Sequence, residues 1–73
     1  MPKLPRISGK KAVKAFQRAG WEISRQRGSH VVLTKKGSIY TISIPQHKEL
    51  GPGLLRSLLR KAEIGLGEFI ELV

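Results

Sequence analysis

The 73-residue chain has no cysteine, no aspartate, few aromatic residues and no long apolar run. Each lack removes something. Without cysteine there is no disulfide framework and no thiolate metal site to add stability. Five glutamates and two histidines are too dispersed for a convincing metal cluster. Glu49 beside His47 is one possible pair, and its surroundings are strongly cationic. Gly51-Pro52-Gly53 lacks the lysine and spacing of a phosphate-cradling loop. A Ser-His-acid triad would need Asp or a suitably placed Glu and an acyl substrate, and neither is indicated. No metal and no cofactor is therefore expected. No stretch has the apolar length that spans a bilayer, and Met1-Pro2-Lys3-Leu4-Pro5-Arg6 lacks the apolar run of a signal peptide. A cytoplasmic protein with no membrane partner is the expectation.

What the chain does have is positive charge. Fourteen Lys and Arg against five Glu give a formal net charge of +9. Glu63, Glu68 and Glu71 lie in the last 11 residues, so residues 1–62 carry fourteen positive and two negative charges, a net +12. Such self-repulsion opposes a compact state and is relieved by a polyanionic partner. Nucleic acid ranks first, an acidic protein second and an anionic membrane surface third. The length suits one small domain, which at this size buries only roughly 60% of its unfolded surface.

The order of elements follows from periodicity and caps. Residues 1–7, with prolines at 2 and 5, read as an extended leader. Ser8 is placed to cap a helix over about 9–19, and Gly20 to end it in a left-handed conformation. Ala12, Val13, Ala15, Phe16 and Ala19 fall on one arc of that helix; Lys10, Lys11, Lys14 and Arg18 fall on the other. Three strands are predicted: Trp21 to Gln26, His30 to Lys35 and Ser38 to Ile44. A two-residue turn at Lys36-Gly37 would set Leu33 opposite Tyr40 and Val31 opposite Ile42. A three-residue loop at 27–29 is preferred for the first hairpin, with Ile23 opposite Val31 and Trp21 opposite Leu33. A two-residue turn there would put Arg25 beside Val32 and split the apolar set. The preferred register collects Trp21, Ile23, Val31, Leu33, Tyr40, Ile42 and Ile44 on one face. It leaves Glu22, Ser24, Gln26, His30, Val32, Thr34, Ile39, Thr41 and Ser43 on a wet face.

Pro45 ends the third strand, and Pro52 opens a second helix at the first helical position, where no amide partner is needed. Leu54, Leu55, Leu58, Leu59 and Ala62 form its packing arc; Arg56, Arg60 and Lys61 lie outside it. Gly65 marks a break. Within 64–73, Leu66, Phe69, Ile70 and Val73 suit a short helix, although residues 68–73 can also pair as an edge strand. The expected fold is α+β: a two-layer sandwich, α-β-β-β-α with a short C-terminal element, in one domain over 1–73. The double-stranded-RNA-binding domain has this order of elements.

Two histidines are the candidates for chemistry. His30 follows Gly28-Ser29 on the predicted wet face, and imidazole can take a proton from a ribose 2′-hydroxyl or give one to a leaving oxygen. Arg25, Arg27 and Lys48 are candidates to stabilise a phosphate nearby, and Ser29 offers a hydroxyl. On chemistry alone the blander role is favoured, a strand histidine bonded across the sheet to Ser43. His47 suits a structural role in the loop before the second helix. Lys10, Lys11, Lys14, Arg18, Arg56 and Arg60 supply basic faces that can follow phosphates. The aromatic residues fall on packing faces in the preferred register, which leaves base stacking without support.

Gly20-Trp21 after a basic helix, Gly28-Ser29-His30-Val31-Val32-Leu33, and the run from Ile44-Pro45-Gln46-His47 through Gly51-Pro52-Gly53-Leu54-Leu55-Arg56 to Ala62 resemble the HicA toxin family. So does Glu68-Phe69-Ile70-Glu71-Leu72 at the end. The resemblance implies a double-stranded-RNA-binding-like fold, a metal-independent endoribonuclease acting on mRNA, and a HicB-type antitoxin as protein partner. It places the family's catalytic histidine at His30 and a loop histidine, structural or RNA-contacting, at His47. A non-catalytic RNA-binding module and a small protein docking an acidic partner are the competing readings.

Overall fold

Ser8 starts the first helix through its side chain. In the computed structural model, which describes residues 3–73, α1 spans Gly9–Arg18 and the Ser8 hydroxyl accepts the Lys11 N–H at 3.1 Å, meeting one of the helix's orphan donors. At the other end Gly20 has φ +100°, and the N–H groups of Gly20 and Trp21 bond the carbonyls of Gln17 and Phe16 at 3.0 Å each. This is a Schellman closure, for which glycine is the residue of least strain. Ala12, Val13, Ala15 and Phe16 are buried, and the four cations of the opposite arc are exposed. Of the leader expected over 1–7, Met1 and Pro2 lie outside the described residues. Ile7 reaches the core and Leu4 packs against it.

The strands are β1 (Glu22–Arg27), β2 (His30–Thr34) and β3 (Ile42–Pro45), antiparallel in the order β1-β2-β3. Both expected registers need correction. The first hairpin closes on a two-residue turn, Gly28-Ser29, with Arg27 opposite His30 and Arg25 opposite Val32. Gly28 takes φ +55° there, the sign that tight hairpin turns require. The cost of a split apolar set is met by a bulge: Ser24 is an extra residue, and beyond it Ile23 returns to pair with Leu33. In the second hairpin Leu33 pairs with Ile42 and Val31 with Ile44, two residues further along than expected. A shift of two keeps every side chain on its face, so Ile42 and Ile44 still point inward. Residues 38–41 do not join the ladder. The Tyr40 N–H is taken by the Ser38 hydroxyl at 3.1 Å, and Tyr40 is 45% exposed rather than core. Ile23, on the edge strand, is 50% exposed. Val32, expected to be wet, is buried.

The second helix, α2 (Pro52–Ala62), has Pro52 in its first turn and buries Leu55, Leu58, Leu59 and Ala62, while Leu54 is exposed. It ends with Glu63 in the left-handed region at φ 57°. Leu66–Leu72 is helix α3, not an edge strand. Its packing side is Leu66, Phe69 and Leu72, with Ile70 and Val73 exposed. Phe69 is fully buried against Phe16, ring centroids 5.2 Å apart, a tilted pair worth about 0.5–1.5 kcal/mol beyond area burial. One core joins Trp21, Val31, Leu33, Ile42 and Ile44 of the sheet region to the apolar arcs of the helices. The result is a two-layer α+β sandwich of the double-stranded-RNA-binding-domain type. No helix among the described residues is long and apolar enough to cross a membrane.

Candidate functional site

His30 is the first residue of the central strand, so it has neighbours on both sides: Arg27 of β1 and Pro45 of β3 are its Cα partners. Directly opposed residues share a face, with Cβ atoms about 5 Å apart. Arg25 joins the same face through Val32, two positions along. His30, Arg25 and Arg27 are all exposed. The Ser24 bulge decides this grouping. Beyond it Ile23 pairs with the inward-facing Leu33; without the extra residue, Arg25 and Arg27 would follow Ile23 onto the core side. Gln26, expected beside His30, gives up that face. Ser24 takes the bulge, and Gln26 pairs with Val31 and bonds the Gly28 carbonyl at 3.2 Å. Among the described residues no hydrogen bond holds the His30 imidazole, and Ser43 stands opposite Val32 instead.

Backbone contacts fix this end of the sheet. The Gln46 N–H donates to the Ser29 carbonyl at 2.6 Å, and the Gly9 N–H to the His47 carbonyl at 2.9 Å. Gly9 sits so close to β3 that an added Cβ would lie 2.0 Å from the Pro45 carbonyl oxygen. The first turn of α1, with Lys10 and Lys11, is thereby anchored beside Pro45, the partner of His30. Ser29 and Lys48 are exposed on the two segments so joined. His47 is exposed as well, and its anchoring contact is made by its carbonyl.

The remaining expected phosphate contacts are spread more widely. Lys14 lies one turn further along α1, and Arg56 and Arg60 are exposed on α2. Arg18, at the far end of α1, donates to the Leu72 carbonyl and closes the C-terminus of α3. Lys35, Lys36 and Lys61 fall outside the expected set, yet they share one cleft with Tyr40. The Lys36-Gly37 turn was the available signal, and reading residues 38–44 as strand hides it. Among the described residues, no three His or Glu side chains come together as a metal-binding group.

A family model described as the HicA toxin of bacterial toxin–antitoxin systems matches residues 9–64. The chain belongs to the HicA toxin family. The matched span holds α1, the whole sheet with His30, and α2; α3 lies beyond it. A solved structure described as a toxin–antitoxin complex from Streptococcus pneumoniae is similar to this HicA chain at 30% identity and a TM-score of 0.69. That likeness covers 80% of this chain and 98% of the other. A search of curated proteins gives no match.

Proposed function

We propose that this HicA chain acts in the cytoplasm as a single-domain toxin endoribonuclease that binds and cuts mRNA with His30, and that a HicB-type antitoxin neutralises it. The observation that carries the reading is the exposed imidazole of His30, opposite Arg27 and on one face with Arg25. Family membership and the toxin–antitoxin title of the structural neighbour support it.

The chemistry follows from these groups. A ribose 2′-hydroxyl attacks the adjacent phosphorus, the bond to the 5′-oxygen breaks, and a cyclic phosphate and a 5′-hydroxyl result. His30 takes the 2′ proton as general base or supplies the leaving oxygen's proton as general acid. Arg25 and Arg27 offer forked donors to the phosphate oxygens as negative charge builds up there. Lys10, Lys11, Lys14, Lys48, Arg56 and Arg60, with the Ser29 hydroxyl, supply the contacts that hold the RNA backbone. No metal takes part in this scheme. An acidic antitoxin surface would meet the net +12 of residues 1–62 and cover His30.

Removing one positioned acid–base group costs about 10²–10⁴ in rate. His30→Ala therefore loses cleavage by that factor while keeping its fold and RNA affinity. EDTA leaves the wild-type rate intact, and an all-DNA strand binds uncut. Near-wild-type cutting by His30→Ala, or loss of cutting in EDTA, refutes the mechanism. RNA binding with no cleavage by the wild type would favour the non-catalytic RNA-binding module.

A further inference from the structure

At the end of β2 away from His30, the chain forms a cleft of about 380 Å³. Its walls are Trp21, the loop from Lys35 to Tyr40, and the end of α2 from Lys61 to Glu63. Three features of it are unusual. It gathers Lys35, Lys36 and Lys61 against a single acid, Glu63. It presents large apolar surface to solvent, since Ile39 is 91% and Tyr40 45% exposed. Its wall also contains a buried donor: Trp21 is 2% exposed, and its indole Nε1 is the one buried side-chain polar atom without a hydrogen-bond partner among the described residues. An indole N–H can only donate, and leaving one buried and unpaired is costly. Lys35 lies close by, because its Cε is 3.3 Å from where a Cβ on Gly20 would be, next to Trp21.

We propose that this cleft is a second RNA subsite, which takes one unpaired nucleotide of the strand whose scissile phosphate lies at His30. The inference rests on the reading of the chain as an RNA-binding protein. The ring of Tyr40 stacks on the base, as exposed aromatics do in single-strand binders. Lys35, Lys36 and Lys61 hold the phosphates on either side, and the Ser38 hydroxyl, whose oxygen already accepts from Tyr40, keeps its proton free to donate. Glu63 accepts from a base amine or a ribose hydroxyl. The volume fits a nucleotide and is near the lower bound for small-ligand clefts. An acidic peptide would use the lysines and leave the Tyr40 ring idle, so the nucleotide is the better match. Lys35 follows the last residue of β2, five residues from His30 and about 16 Å away at strand rise. The odd step and the α2 wall put the cleft on the helix side of the sheet, so the few nucleotides that bridge the two pass around the sheet's end. The subsite would give the enzyme a preference for RNA that is single-stranded beside the cut.

His30→Ala provides a non-cutting background for the test, and Trp21, the sole tryptophan, is a built-in fluorescent reporter. A ten-nucleotide single-stranded RNA and the same sequence as a duplex are titrated against it. The single strand should change Trp21 emission. Adding Tyr40→Ala should weaken its binding about 5- to 150-fold, the range for one lost stacking contact, with duplex affinity unchanged. Tyr40→Phe should bind like the background protein, which separates stacking from misfolding. Lys35→Ala with Lys36→Ala should lower the slope of log K against log salt by about 1.4, at 0.7 per single-strand phosphate contact. If the background protein binds RNA and all cleft variants bind it equally well, the subsite is wrong and the wider reading stands. If it binds neither RNA, both fall. An equal emission change with oligoglutamate, unaffected by Tyr40→Ala, would overturn the nucleotide in favour of an acidic peptide.

Discussion

At the His30 end of β2, three backbone hydrogen bonds cross between segments distant in sequence: Gln46 to Ser29, Gly9 to His47 and Leu50 to Ile7, at 2.6, 2.9 and 2.8 Å. At the Lys35 end the loop's hydrogen bonds among the described residues are to itself, Ser38 N–H to the Lys35 carbonyl and Tyr40 N–H to the Ser38 hydroxyl. The first end is over-determined. A general acid or base needs that, because its reach to the transferred proton is only a hydrogen bond long. The second end leaves Lys35, Lys36 and the Tyr40 ring on a loop with few ties, which suits the adaptable contacts proposed for a nucleotide. Under the proposed function, one short strand would link a fixed site for chemistry to a looser surface for recognition.

The sharpest way to break the fixed end is to delete Ser24. Without the bulge, Arg25 and Arg27 move to the core side or Ile23 moves to the solvent side, because a one-residue slip exchanges the faces. Cleavage should fall by about 10²-fold or more, the usual cost of losing a preorganised charge-stabilising donor. Ser24→Gly keeps the extra residue and should retain most activity. Equal activity in the two variants would show that the bulge does not set the site.

Gly9→Ala comes next and acts on stability. Its Cβ would stand 2.0 Å from the Pro45 carbonyl oxygen, a backbone atom that cannot rotate away. Overpacking costs typically 1–3 kcal/mol, and a weakened bond to the His47 carbonyl adds about 1. A loss of about 2–4 kcal/mol should appear as a midpoint shift in urea at constant slope. The fold of the Lys35 end should survive, so the Trp21 environment below the transition should be unchanged.

These two positions also show what a sequence can and cannot reveal. The helices were legible because their signals are local: Ser8 and Gly20 bracket α1, Pro52 opens α2, and the apolar arcs repeat at helical spacing. The inward positions of Trp21, Val31, Leu33, Ile42 and Ile44 were legible as well, since alternation fixes parity, whereas the burial of Val32 was not. Register was not, because a pairing moved by two residues satisfies the same alternation. A bulge reverses parity within a strand, and nothing in Ile23-Ser24-Arg25 announces it. The C-terminal segment was ambiguous for another reason. Both periods fit Phe69 to Val73 until Phe16 supplies the partner that buries Phe69. At the candidate site, the exposed position of His30 at the start of β2 was legible from Gly28-Ser29 and the strand pattern that follows. The placing of Arg25 and Arg27 around it depends on the bulge, and the exposure of Tyr40 on a loop that pairs with nothing.

Glu63 tests the looser end more gently. It is the one non-glycine residue with positive φ among those described, and it closes α2 where glycine is the usual choice. Left-handed backbone costs a residue with a Cβ about 1–2 kcal/mol, partly offset by the greater chain entropy glycine loses on folding. Glu63→Gly should therefore stabilise the fold by up to about 1 kcal/mol in denaturant titrations. Because it also removes the only acid at the cleft, RNA affinity should not fall by more than the loss of one hydrogen bond. A destabilised variant would mean that the Glu63 side chain makes a contact that outweighs its backbone strain.

The smallest effect is expected at the second histidine, and it is diagnostic because the two histidines lie at the same end of the sheet. The contact His47 makes in the fold is through its carbonyl, which accepts from Gly9, while its side chain is exposed. Alanine keeps that carbonyl. His47→Ala should shift stability by no more than about 0.5 kcal/mol, as for ordinary surface positions. If the side chain only touches RNA, the rate at saturating substrate should be unchanged and any loss should appear in KM, the pattern of uniform binding. His30→Ala should show the reverse pattern, a collapsed rate with RNA affinity kept. The mechanism with one imidazole predicts this contrast. A drop in the saturated rate of His47→Ala that approached that of His30→Ala would mean that both imidazoles transfer protons. Base and acid would then be two residues, held together by the bonds that join Ser29 to Gln46 and Gly9 to His47.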